Sequence, residues 1–231
     1  MNQQSSPQDP LVLSYLSLRK AVGIIAFAMP FVLAIGKILL QGPGVQSSIS
    51  AYYYTDMRDV FIGCFCAIAV FQLSTKGYGK KDQIIGILAC IFTLGTAFIP
   101  VTPDTGATPH QETIGWIHYV FAGFLLFTLA YFSLVLFTKT DPDKRPTRRK
   151  LQRNTVYKVC GYTILASIFT IVVISLPMFK DKVARFQPQF WLESLAVVVF
   201  GVSWLTKGEA ILKDEEDQAS VSTNTQSAAR R

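Results

Sequence analysis

Apolar residues in this chain gather into six blocks, at about residues 21–40, 57–73, 84–101, 114–137, 159–178 and 190–206, separated by short polar segments. Each block is close to the roughly 20 residues an α-helix needs to cross a hydrocarbon layer of about 30 Å. That layer offers backbone groups no water, and a helix satisfies them within one segment, so such blocks fold as spanning helices. The pattern predicts an all-α, polytopic membrane bundle of six transmembrane helices over residues 19–208. Residues 1–18 read as a polar lead, MNQQSSPQDP, followed by an apolar stretch that ends at Arg19 and Lys20 and lies in the membrane interface. Residues 209–231 read as a disordered tail, because DEED followed by Ser, Thr, Gln and Ala lacks the apolar side chains that folding needs.

Prolines refine the boundaries. Pro30 lies inside the first block, where a missing backbone donor commonly kinks a helix, whereas Pro100 and Pro177 sit near block ends and read as terminators. The first block is longer than the roughly 7–15 apolar residues of a secretory signal and lacks an A-x-A-like site, so it reads as an uncleaved span. No internal repeat is visible.

Composition agrees with the blocks. Charged residues make up 16% of the chain and hydrophobic residues 50%, against about 25% charged in an ordinary soluble domain. The net charge of +7 lies between apolar blocks, which makes it a topology signal and gives no reason to expect a nucleic-acid partner. Seventeen of the 22 Lys and Arg fall on one side of a six-span topology, and Lys37, Arg58, Lys180, Lys182 and Arg185 fall on the other. By the positive-inside rule both termini are cytoplasmic, and the expected location is the cell membrane, a bacterial inner membrane in particular. The basic loop at 139–158 reads first as an anchor to the cytoplasmic leaflet and second as a surface for anionic lipid. Membrane lipids are therefore the expected partners, with a homo-oligomer or a membrane-protein partner left open. Cys64, Cys66, Cys90 and Cys160 all lie in apolar blocks and suggest no disulfide framework.

Candidate chemistry sits at the outer ends of the spans. Asp59 opens the second, Asp104 follows the third, His118 lies in the first turns of the fourth and Glu193 in the first turn of the sixth. At 100° per residue, Asp59 shares a stripe with Gly63, Cys66 and Val70, His118 with Gly115, Ala122 and Leu125, and Glu193 with Val197, Gly201 and Trp204. Small residues mark close helix approach, and ionisable groups inside a membrane usually face the bundle interior, so the three stripes are expected to converge on an outward-facing polar pocket. Asp59, His118 and Glu193 are the catalytic candidates, and Tyr53, Arg58 and Asp104 the ligand-binding candidates. A metal would draw on His118, His110, Asp59 and Glu193, with zinc the natural choice for imidazole and carboxylate. The HxxxH and HExxH spacings are absent. The competing reading is structural: side chains near the surface snorkel to water, Arg58 pairs with Glu193 or Asp104, and Tyr52, Tyr53 and Tyr54 anchor the interface with Trp116 and Trp191.

The segments SISAYYYTDMRDVFIGCF at 48–65 and IHYVFAGFLLFTLAYFSLVLF at 117–137 resemble those of bacterial six-span membrane proteins of the domain of unknown function 998 type, and more distantly Frag/DRAM/Sfk-like proteins. The resemblance runs from about residue 20 to 208 and implies the architecture; it carries no catalytic residue with it. Unlike the alkaline ceramidases and progestin-receptor-like hydrolases, which have seven spans, the chain has no HxxxH pair.

Whether the protein is an enzyme stays open at this point. The leading expectation is binding of a lipid or small ligand at the outward-facing pocket. The alternatives are a membrane-embedded hydrolase of a lipid or small ester, metal-dependent or not, and a proton-coupled transporter using His118, whose unperturbed pKa lies near 6.5.

Overall fold

The computed structural model describes residues 10–73, 80–140 and 146–212, without the side chains of residues 10–15, 180 and 181. Among the described residues the regular structure is helical. The helices are α1 (Pro10–Gln41), α2 (Arg58–Leu73), α3 (Lys80–Phe98), α4 (Pro109–Tyr131), α5 (Arg148–Ile174), the short α6 (Pro177–Val183) and α7 (Pro188–Lys207). A 3₁₀ turn at Ser50–Tyr54 lies between α1 and α2, and α4 runs into a π-helical turn at Phe132–Leu136. Residues 1–9 of the expected polar lead and most of the expected tail, 213–231, fall outside the described residues.

Each long helix packs on its neighbours in chain order, and α7 closes against both α5 and α1, so the six form a ring α1–α2–α3–α4–α5–α7. The inward stripe of α1 is Val22, Ala26, Met29 and Leu33, at the four- and three-residue steps of one helical face. Gly201 lets α7 meet α1 backbone to backbone: a Cβ there would stand 2.7 Å from the Phe27 nitrogen. Gly23, facing Leu205 across the same contact, does the same from the α1 side. At the far end of α4, Phe137 donates its N–H to Phe132 O at 2.9 Å, closing the π-turn, and the rings of Phe132, Phe137, Tyr157 and Trp204 pack together there.

Five stretches are long and apolar enough to cross a membrane: Leu16–Gln41, Lys80–Phe98, Pro109–Leu136, Arg148–Ile174 and Pro188–Lys207. Helix α2, expected as a sixth span, has 16 residues, about 24 Å at 1.5 Å per residue, and residues 74–79 beyond it lie outside the described residues.

Several boundaries differ from the expected ones. The stretch expected as a separate interfacial segment before Arg19 is continuous with α1, which has no break from Pro10 onward and carries Pro30 inside it. Helix α5 begins at Arg148, well before the apolar block at 159–178, because Lys and Arg are good helix formers wherever water can reach them. It ends at Ile174, and Pro177 opens α6. Proline suits a first helical position, since it lacks only an N–H that would find no partner there.

Candidate functional site

The segment joining α1 to α2 folds back over the end of the ring. Ser48 Oγ accepts the N–H of Ala51 at 3.0 Å, which starts the Ser50–Tyr54 turn, and Tyr52 is fully buried against Phe190 of α7 with ring centroids 5.9 Å apart. Burial pushes the Tyr52 phenol above its usual range, so this tyrosine stays neutral and acts as a packing group. Two bonds fasten the segment to α7. Phe190 donates its N–H to Ser47 O at 3.1 Å, and Glu193 Oε2 accepts the N–H of Ile49 at 2.7 Å. Gln189 donates to Oε1 of the same carboxylate at 2.8 Å. The first N–H groups of a helical turn have no acceptor within it, and the Glu193 carboxylate supplies one.

Below Glu193 the ring lines a partly open cavity of about 50 Å³. Its walls come from α1, α2, α3, α4 and α7 and are mainly apolar, with Met29, Phe65, Leu125 and Phe200 among them. The polar groups that reach it are Glu193, Ser50, Thr93 and Thr96. The two threonines tolerate this position because their hydroxyls donate to carbonyls one turn back, Thr93 to Ala89 O at 2.7 Å and Thr96 to Phe92 O at 2.8 Å. Thr93 Oγ1 also lies 2.9 Å from Gln72 Oε1 of α2.

The other candidates hold together the loops at this end. His118 is 2% exposed, and its Nδ1 stands 2.6 Å from Ile99 O at the end of α3. Tyr54 donates its hydroxyl to Val101 O at 2.7 Å, and Ser47 donates to Asp104 Oδ1 at 2.8 Å. Asp104, Tyr54 and Thr102 line a second cleft of about 260 Å³. The structural reading would pair Arg58 with Glu193 or Asp104. Instead its guanidinium lies 4.2 Å from the centroid of the Tyr53 ring, and Nη2 donates to the Tyr53 hydroxyl at 2.7 Å.

Two of the three expected stripes face inward. Gly115, His118 and Leu125 are buried on α4 and Ala122 lines the cavity; on α7, Val197, Gly201 and Trp204 are buried and Glu193 lines the cavity. The α2 stripe corrects the expectation: Asp59 and Gly63 are exposed, Val70 is 57% exposed, and nothing lies within 4 Å of where a Gly63 Cβ would stand. Helix α2 turns Phe61, Phe65, Ile68, Ala69 and Gln72 inward instead, so bulky side chains rather than small ones fill its contact. Asp59 is therefore not brought to the cavity beside Glu193, and His118 and Glu193 bond to different partners. His110 is exposed in the first turn of α4. Among the described residues no three His, Cys, Asp or Glu side chains come together to hold a metal, so the set His118, His110, Asp59 and Glu193 is not assembled.

Sequence reasoning missed Ile49, Thr93 and Thr96. The threonines carried a readable signal, a stripe of small residues along α3 formed by Gly86, Ala89, Cys90, Thr93, Thr96 and Ala97, all buried. Ile49 carried none, because the group it contributes is a backbone N–H.

Compared with known proteins, the chain matches no family model, no curated protein and no solved structure.

Proposed function

We propose that this chain is a six-span protein of the cell membrane, with both termini in the cytoplasm, whose central cavity binds a small neutral or cationic amphiphile through Glu193. The observation that carries the reading is the placing of one carboxylate, held by Ile49 and Gln189, at the end of an otherwise mainly apolar cavity inside a ring of helices. Apolar walls with a few convergent polar groups are the general form of a ligand site. A carboxylate there favours a hydrogen-bond donor or a positive charge on the ligand and disfavours an anionic headgroup. About 50 Å³ exceeds the roughly 10–15 Å³ that one water needs and falls well below the roughly 300 Å³ of a drug-sized pocket, so the ligand is small or enters by one end only.

Helix α2 is the sixth span in this reading, because it occupies its own place in the ring between α1 and α3. The distribution of Lys and Arg supports the orientation, and the resemblance to six-span bacterial proteins of the domain of unknown function 998 type agrees with the six-span count. The hydrolase reading is less well supported, since it asks His118 and Glu193 to converge on one reacting atom.

Native mass spectrometry of the protein taken directly from membranes tests the binding reading. The wild type should carry a small organic molecule that is lost in Glu193→Gln and also in Ala122→Leu, which fills the cavity and leaves the carboxylate intact. An identical load on all three proteins would overturn it.

A further inference from the structure

Helices α5 and α7 are joined by residues 175–187, which hold α6 and a 3₁₀ turn at Ala184–Phe186. The first turns of α5 meet the end of α7, where Arg153 Nη1 lies 3.6 Å from Glu209 Oε1, so the two helices run antiparallel. Both lie in stretches long and apolar enough to cross a membrane. The connection between two such neighbours leaves the bilayer and re-enters it at the same surface.

That connection is amphipathic. Phe179, Val183 and Phe186 follow one another at steps of four and three, which puts them on one face of α6 and the turn after it. The ring leaves this face uncovered, since α6 packs on α5 and on that turn: Phe179 is 38% and Phe186 59% exposed, and Val183 is half-buried. Cations border the face. Lys182, three residues after Phe179, is exposed, and the guanidinium of Arg185, also exposed, lies 4.4 Å from the centroid of the Phe186 ring. Between residues 175 and 187 the sequence holds Lys180, Lys182 and Arg185 against one acid, Asp181. At Gln187 the backbone turns left-handed, φ 48, and the chain redirects into α7, where Trp191 is exposed one turn later.

Apolar side chains left in water forfeit roughly 25 cal/mol for each Å² exposed. The boundary of a phospholipid leaflet supplies hydrocarbon for such a face and phosphate for the cations beside it. Tryptophan prefers the same layer. We propose that residues 177–186 form an interfacial anchor lying along the headgroup layer, with Phe179, Val183 and Phe186 among the acyl chains and Lys182 and Arg185 donating to lipid phosphates. Lipid is the occupant because the span on either side holds the segment at the bilayer surface. The anchor requires that α5 and α7 span, and it is independent of what the Glu193 cavity binds.

The full chain in nanodiscs of phosphatidylcholine and phosphatidylglycerol tests the anchor. On a background lacking the native cysteines, a nitroxide is attached in turn at Phe179→Cys, Phe186→Cys and Ala184→Cys, the last an exposed position off the apolar face. Collisions with oxygen, which collects in hydrocarbon, are compared with those of a water-soluble nickel chelate. The labels at 179 and 186 should favour oxygen and report a depth of roughly 5–10 Å into the boundary of headgroups and acyl chains, whereas the label at 184 should favour nickel. Preference for nickel at all three positions would put the segment in water, and shielding of 179 and 186 from both reagents would show protein covering the face. Either result overturns the anchor. Lys182→Gln and Arg185→Gln together should shift the label at 179 toward water, and an unchanged depth would overturn the phosphate contacts.

Discussion

The imidazole Nδ1 of His118 in α4 stands 2.6 Å from the carbonyl oxygen of Ile99 at the end of α3. A carbonyl only accepts, so Nδ1 carries the proton, and a neutral ring keeps Nε2 as its acceptor. The last carbonyls of a helix have no partner within it, and this imidazole supplies one from the neighbouring helix. His118 in this arrangement fastens the turn from α3 to α4.

From that bond follows a stability effect with little chemistry attached. His118→Ala should lower stability by about 1–3 kcal/mol, combining a lost buried hydrogen bond with the space left behind. His118→Asn, whose amide nitrogen can stand near the Nδ1 position, should recover part of it. Thermal unfolding in detergent measures both. Elemental analysis of wild type and His118→Ala should give the same metal content, and a stoichiometric metal lost in the variant would restore the histidine to a ligand role.

Two glycines on different helices should behave oppositely. Gly201→Val places a Cβ 2.7 Å from the Phe27 nitrogen and 2.8 Å from Gly23 O, both backbone atoms that cannot swing away. Overpacking of this kind costs about 1–3 kcal/mol. Gly63→Ala meets nothing within 4 Å and should be neutral or slightly stabilising, since alanine favours the helix. If both variants unfold at the wild-type temperature, the backbone contact between α1 and α7 is wrong.

Cysteine accessibility checks the proposed orientation. Thr108 and Thr147 cap the N-termini of α4 and α5 through their hydroxyls, so neighbouring exposed positions are better probes. On a background lacking the native cysteines, Thr105→Cys should react with an impermeant maleimide in intact cells, and Arg148→Cys only after permeabilisation. The reverse pattern would turn the bundle over and move the Glu193 cavity to the cytoplasmic side.

The stripes of α4 and α7 were legible because an ionisable residue and small residues recur on one face, and those faces do turn inward. The α2 stripe followed the same rule and misled, since Phe61 and Phe65, only 4.8 Å apart as rings, supply the packing there. Size alone does not say which face meets a neighbour when both faces are apolar. Arg58 misled for a related reason: acidic partners were plausible by sequence, but the nearest acceptor and aromatic face belong to Tyr53, five residues away. The return of the α1–α2 segment to Glu193 was not legible at all. The backbone N–H of Ile49 is a group every residue but proline carries, and only the fold singles it out.

Among the described helices, the neighbours in the ring follow chain order except at the seam where α7 meets α1. During biosynthesis the groove around Gly23 and Ala26 therefore stays uncovered until α7 arrives, and a chain stopped before α7 presents lipid or a chaperone with a notch shaped for another helix's backbone. Quality control has a simple signal in such a molecule, because the ring is either closed at that seam or still visibly open.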